Sequence, residues 1–211
     1  MCGCAFLRNL GAKYSGHGEE QAVKQFVGVL LVAAGIALSS LAGSHVAYAA
    51  DFTLKSSAVK DNGVLAKKYA GNDKSNPNCV GENISPPLSW SNPPEGTKSF
   101  ALLMYDPEGR LGLGVVHWAA YGIPASVTGF AEGEVSKPSN KFVGGKSTRG
   151  LPTYFGPCTP PGDWHHYTFT LIATDLDPTA LQPGLTRDEL LAALAGHAKG
   201  GAGLIARFKH K

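Results

Sequence analysis

The sequence has little charge and only a slight surplus of basic residues. Nineteen basic residues stand against sixteen acidic ones in 211 residues, for a formal net charge of +3. Neutralising a nucleic-acid backbone takes clustered Lys and Arg, and no such cluster exists, so nucleic acid is excluded as a partner. No segment repeats at a fixed period, which excludes solenoids and propellers, and no heptad run or low-complexity tract appears. Long stretches free of helix breakers are also scarce. With 27 glycines and 14 prolines, the chain reads as turn-rich and unlike a helical bundle. The usual hydrolase and metal signatures are missing too: there is no Gly-x-Ser-x-Gly elbow, no His-x-His and no His-Glu-x-x-His.

Cysteine is the other scarcity. Of four cysteines, Cys2 and Cys4 stand at the very start, leaving Cys79 and Cys158. The first 49 residues contain no proline and read as a targeting segment with a long leader. Lys24 precedes an apolar run over residues 26–42, and Ala47-Tyr48-Ala49 supplies small residues spaced for signal peptidase, before Asp51 restores polarity. An uncleaved anchor is the competing reading, but Gly35, Ser39 and Ser40 weaken the run. Cleavage near Ala49 leaves residues 50–211 as one domain in the periplasm or outside the cell. In an oxidising compartment, two remaining cysteines read as one disulfide, Cys79–Cys158.

Within residues 50–211, short β-type runs alternate with Pro, Gly and Asn clusters. Phe100–Tyr105, Val115–Ile123 and Tyr167–Ala173 are apolar or alternating and read as strands. Thr186 followed three residues later by Glu189 is a capping box, so Leu190–Ala195 is expected to be helical, with Gly196 as the stop. The expected fold class is mainly β, with a few short helices and one near the C-terminus.

Chemistry-bearing residues gather in three stretches: Asn83-Ile84-Ser85-Pro86-Pro87-Leu88-Ser89-Trp90; Tyr105-Asp106-Pro107-Glu108 with His117-Trp118; and Tyr154 through Tyr167. On a strand, His165 and Tyr167 face one side and His166 the other. Imidazole and phenol donors suit phosphate oxygens, and glycine-rich loops expose backbone N–H groups to anions. Asp106 would repel a dianion, so it either orients a histidine or accepts a hydrogen bond from a protonated phosphate or an ammonium. His166, His197 and His210 read as surface residues. Trp90, Trp118 and Trp164 read as core or loop anchors.

In this order the three stretches resemble the phosphatidylethanolamine-binding protein family, in its bacterial Raf kinase inhibitor-like branch (the YbhB and YbcL type). The resemblance runs from about Phe52 to Phe208. It implies an antiparallel β-sandwich with a small anion pocket at one end. It places in that pocket Asp106 with Pro107, His117, the Tyr154-Phe155-Gly156-Pro157-Cys158-Thr159 loop, and the His165 and Tyr167 pair. Glu108-Gly109-Arg110, Thr159 and the stretch at Lys146-Ser147 depart from the family pattern, so the rim is expected to differ more than the pocket itself.

The implied ligand is a small anionic or phosphorylated group, such as a phospholipid headgroup, with no cofactor, no metal and no reaction. Rival classes are a thiol hydrolase built from Cys158, His165 and Asp106, a metalloprotein, and a module that inhibits a protease or other partner. The redox state of Cys158 separates the first of these from a binding protein.

Overall fold

The apolar runs that read as strands pair mostly antiparallel, as sequentially adjacent strands joined by short turns tend to do. In the computed structural model, residues 50–210 are described. The leader, the apolar run 26–42 and the cleavage site at 47–49 lie outside the described residues. In chain order the elements are β1 Thr53–Lys55, β2 Gly63–Val64, β3 Leu88–Ser91, β4 Ser99–Asp106, β5 Val115–Pro124 and β6 Gly129–Phe130. They continue with β7 Val143–Gly144, β8 His165–Thr174, α1 Arg187–Leu194 and β9 Ala198–Phe208. Single 3-10 turns sit at Lys67–Tyr69 and Glu134–Ser136.

Two sheets result, of order β1-β3-β6 and β2-β9-β8-β4-β5-β7. Every pairing is antiparallel except β2 with β9. Side-chain alternation on β4 divides the core. Phe100, Leu102 and Met104 face the small sheet and meet Leu54, Trp90 and Phe130. Ala101 and Leu103 point the other way, onto Leu190 and Leu194 of α1. This arrangement is the β-sandwich, with one helix covering the outer face of the large sheet. A fully buried side chain such as Phe169 contributes roughly 1.5–3 kcal/mol.

Helix α1 begins where the capping box puts it. The Thr186 hydroxyl accepts from the Glu189 N–H, while the Glu189 carboxylate accepts from the Thr186 N–H at 2.8 Å. Gly196, at φ 82°, turns the chain out of the helix in a conformation that suits glycine.

The longest strand, β9, is not among the expected ones. Its Gly200, Gly201 and Gly203 depress strand propensity. Gly200 is nevertheless required, because a Cβ there would lie 2.8 Å from Pro94. The three tryptophans part company: Trp90 and Trp118 are core, while Trp164 is 36% exposed in the loop before β8, with Arg207 and Lys209 over its ring.

Candidate functional site

The three long central strands of the large sheet converge at one end, and the site is built there. β4 ends at Asp106, β5 starts at Val115 and β8 starts at His165. Strand alternation carries the inner face of β8 from Phe169 through Tyr167 to His165, so both residues point where the sandwich interior opens.

Alternation alone would put His117 opposite Trp118, on the outer face. A β-bulge prevents this. Met104 pairs with Trp118 but Tyr105 pairs with Val116, leaving His117 as the extra residue. The bulge turns its ring inward, edge-on to Tyr167 with centroids 5.1 Å apart.

Asp106 is almost fully buried, and both of its oxygens are committed to protein groups. Oδ1 accepts the backbone N–H groups of Glu108 and Gly109, each at 3.0 Å, and Oδ2 accepts from His165 Nδ1 at 2.8 Å. Of the two roles open to it, Asp106 therefore takes the positioning one. It holds the 107–109 turn and fixes the imidazole, leaving Nε2 as the unengaged ring nitrogen. His117 is fixed in the same sense: its Nδ1 donates to the Phe155 carbonyl at 2.8 Å. Burial, only partly opposed by that carbonyl, lowers the His117 pKa, so the ring is neutral at pH 7 and its Nε2 is an acceptor.

These groups line a cavity of about 280 Å³, together with Thr159, Cys158 and the apolar walls Val115 and Phe155. The Thr159 hydroxyl and the Tyr167 hydroxyl are buried in its wall without a hydrogen-bond partner. They lie near one another and near Asp106, yet short of hydrogen-bond geometry. Burial first, and the Asp106 charge second, push the Tyr167 pKa far up, so the group stays a phenol.

Three expected lining residues stand elsewhere. Pro107 is exposed on the outside of the turn. Tyr154 is buried, and its hydroxyl donates to the Tyr69 carbonyl at 2.6 Å. Gly156 packs so tightly that a Cβ would lie within 1.9 Å of the same carbonyl oxygen, and its N–H donates to Asn83 Oδ1. Tyr154 and Gly156 position the loop rather than face the cavity. Asn83, in the left-handed region at φ 58°, is the receiving anchor. Cys158 is joined to Cys79, with Cα atoms 4.3 Å apart. His166 faces outward, paired with Glu108 at 2.8 Å. His210 is not a plain surface residue, since its Nδ1 is buried without a partner.

The rim contains residues the motifs did not flag. Arg110 and Arg149 both border the cavity. Arg149 stacks on Phe155 at 4.5 Å and pairs with Asp73, while Arg110 has no ion-pair partner among the described residues. The signal for Arg110 was available, because Glu108-Gly109-Arg110 is a departure from the family pattern. Nothing local in the sequence marks Arg149. Asp106, Glu108 and His165 also bring possible metal-ligand atoms within 4.8 Å of one another. The Asp106 and Glu108 oxygens and His165 Nδ1 are already engaged in hydrogen bonds within the protein, while His165 Nε2 is not.

Residues 55–209 match the sequence profile described as phosphatidylethanolamine-binding protein. A UPF0098 protein of Methanothermobacter thermautotrophicus is 37% identical over 160 residues, which cover 74% of this chain and 97% of that one. The UPF0098 protein YbcL of Escherichia coli is 38% identical over 132 residues, 60% of this chain and 70% of that one. The crystal structure of E. coli YbcL, described as a new member of the mammalian PEBP family, has a TM-score of 0.69 at 30% identity. It covers 77% of this chain and 100% of its own.

Proposed function

This chain belongs to the phosphatidylethanolamine-binding protein family, and from that membership we propose that it is an exported protein that binds a phosphate-type anion without transforming it. The observation that carries the reading is the pair of orphaned hydroxyls, Thr159 and Tyr167, buried in the cavity wall. A buried hydroxyl without a partner costs about 1–3 kcal/mol. A ligand oxygen accepting from both removes that cost. Arg110, without an ion-pair partner among the described residues, supplies positive charge at the mouth, and the neutral His117 Nε2 accepts from the P–OH of a singly ionised phosphate. The phosphate group bound is therefore singly ionised, as in the acid form of phosphoethanolamine or of inorganic phosphate.

Export is supported by the leader composition, by the small-residue site at 47–49 and by the cysteine pair. A thiol hydrolase needs a Cys158 thiolate, and a Cys79–Cys158 bridge removes it. The inhibitor alternative has no feature of the site in its favour.

The reading is tested by calorimetric titration of phosphoethanolamine. His165→Ala should weaken binding about 10- to 100-fold, as loss of a partner in a desolvated anion site does. His166→Ala should leave affinity unchanged. Equal effects would defeat the assignment of the inner face of β8 to the ligand, and an absence of heat with millimolar ligand would defeat the anion site.

A further inference from the structure

One stretch of the cavity wall keeps its hydrogen bonds to itself. Asn76 lines the cavity and belongs to a loop over residues 72–79. The Asp73 carboxylate accepts from the Ser75 N–H and hydroxyl, and the Asn76 side-chain oxygen accepts from the Asn78 N–H. The Asn76 N–H donates to the Asp73 carbonyl and the Cys79 N–H to the Asn76 carbonyl, each at 3.0 Å. Among the described residues, no backbone hydrogen bond joins 72–79 to the rest of the chain. The Asn72 amide reaches the Glu82 carbonyl at 3.4 Å, beside the loop's own base.

The base is fixed by contrast. The Gly71 N–H donates to the Pro157 carbonyl and the Gly81 N–H to the Gly71 carbonyl, both at 2.8 Å, and Val80 packs against the core. A compact loop with closed ends and its own bonding can move as one piece about such a base. Two further ties hold it down, the Asp73–Arg149 ion pair and the Cys79–Cys158 bridge. Both receiving residues, Arg149 and Cys158, line the same cavity as Asn76. The ion pair is partly exposed, and a pair of that kind favours the closed loop by no more than about fivefold, less in salt. The bridge is what keeps the loop closed.

We propose that residues 72–79 form a lid on the cavity and that the Cys79–Cys158 bridge is its latch, opened by a dithiol reductant. Both cysteines are half-buried, within reach of solvent. Cys158 Sγ is backed by Gly71, where a Cβ would lie 2.5 Å from it, so Cys79 Sγ is the sulfur open to attack. A thiolate of the dithiol bonds to Cys79 Sγ as the S–S bond breaks, and Cys158 Sγ leaves with the electron pair and takes a proton. The second thiol then displaces Cys79 Sγ, which is protonated in turn, while the dithiol closes into its own disulfide. Two electrons and two protons pass from the dithiol to the protein. The inference rests on the anion-site reading only for the ligand whose exchange is timed; the latch stands on the loop's own bonding.

Trypsin reads the lid directly, since Lys74 is exposed within it. In the full chain carrying Cys79→Ser with Cys158→Ser, cleavage after Lys74 should run at least about tenfold faster than in the parent, because only the weak ion pair then opposes opening. Cleavage after Arg110, in an exposed loop with no part in the latch, should keep its parent rate. Dithiothreitol added to the folded parent should reproduce the effect. The double variant should ignore the reagent, which excludes a contribution from Cys2 or Cys4. Phosphorus NMR of phosphoethanolamine should show exchange at least about tenfold faster in the double variant, with entry and exit both quickened and affinity little moved. Equal acceleration after Lys74 and Arg110 overturns the lid, because the fold has then loosened as a whole. A bridge that resists dithiothreitol until the protein unfolds overturns the latch. Faster cleavage with unchanged exchange overturns the gating. Without phosphoethanolamine binding in either form, the anion-site reading falls, and the trypsin rates alone decide the lid.

Discussion

The floor and the rim of the cavity are built on opposite plans. On the floor, Asp106, His117 and His165 come from three strands of one sheet, and each has a fixed protein partner. On the rim, Arg110, Leu111 and Leu113 come from one loop, exposed and partly in left-handed backbone. The floor fixes geometry because every rotamer there is over-determined by burial and hydrogen bonding. The rim is free to vary because little depends on its side chains. Chemistry common to a family therefore belongs on the floor, and the choice of target belongs on the rim.

The largest test of that division is Asp106→Ala. It removes the acceptor of two backbone N–H groups and one imidazole, and should cost about 4 kcal/mol in urea unfolding. A cost below about 1 kcal/mol would mean that the floor is no stiffer than the rim. The double change Cys79→Ser with Cys158→Ser comes next, at about 3 kcal/mol for a bridge closing a long loop. Retained phosphoethanolamine affinity in that variant would show that the loop's place on the floor does not depend on the bridge.

The third test is pH. The native His117 pKa lies below its ordinary 6.5 because the ring is buried. The unfolded chain therefore takes up a proton on falling through 6.5, while the native chain does so only lower down. The stability contribution of the neutral ring is complete above pH 6.5 and is lost as pH falls below it. His117→Asn, whose amide nitrogen stands where Nδ1 does and can donate to the Phe155 carbonyl, should flatten the decline between pH 6.5 and about 5, a window above the ordinary carboxylate range. An unchanged slope would remove His117 from the floor's ionisation. Smallest of all, Leu111→Ser with Leu113→Ser should shift stability by no more than about 0.5 kcal/mol.

The division also explains what the sequence disclosed. β4, β5, β8 and α1 were legible because their apolar period and capping box act locally. β9 was not, since its glycines suit it only to a place beside β8 and under Pro94. At the site, the facing of His165 and Tyr167 follows from a period of two. The inward turn of His117 does not, because a bulge is a property of two paired strands and leaves no mark on one. Tyr154 and Gly156 stand behind the cavity wall, where they anchor the loop. Their contacts to Tyr69 and Asn83 span 85 and 73 residues, distances over which local pattern carries no information. Arg149 was invisible for the same reason, as its partner Asp73 lies 76 residues away.

One feature of the large sheet bears on how the protein behaves in a crowd. Its outermost strands, β2 and β7, are each two residues long. A sheet with long bare margins displays a row of unpaired N–H and C=O groups, on which a neighbouring molecule can add its own strand and begin a fibre. Here the long strands β9, β8, β4 and β5 are all interior to the sheet. The stubs cover β9 at Ala206 and Arg207 and β5 at Ala120 and Tyr121, and the loops beside them add backbone bonds to Ile205, Ala119 and Val116. A neighbour adding a strand at either border must first displace the stub and these loop bonds.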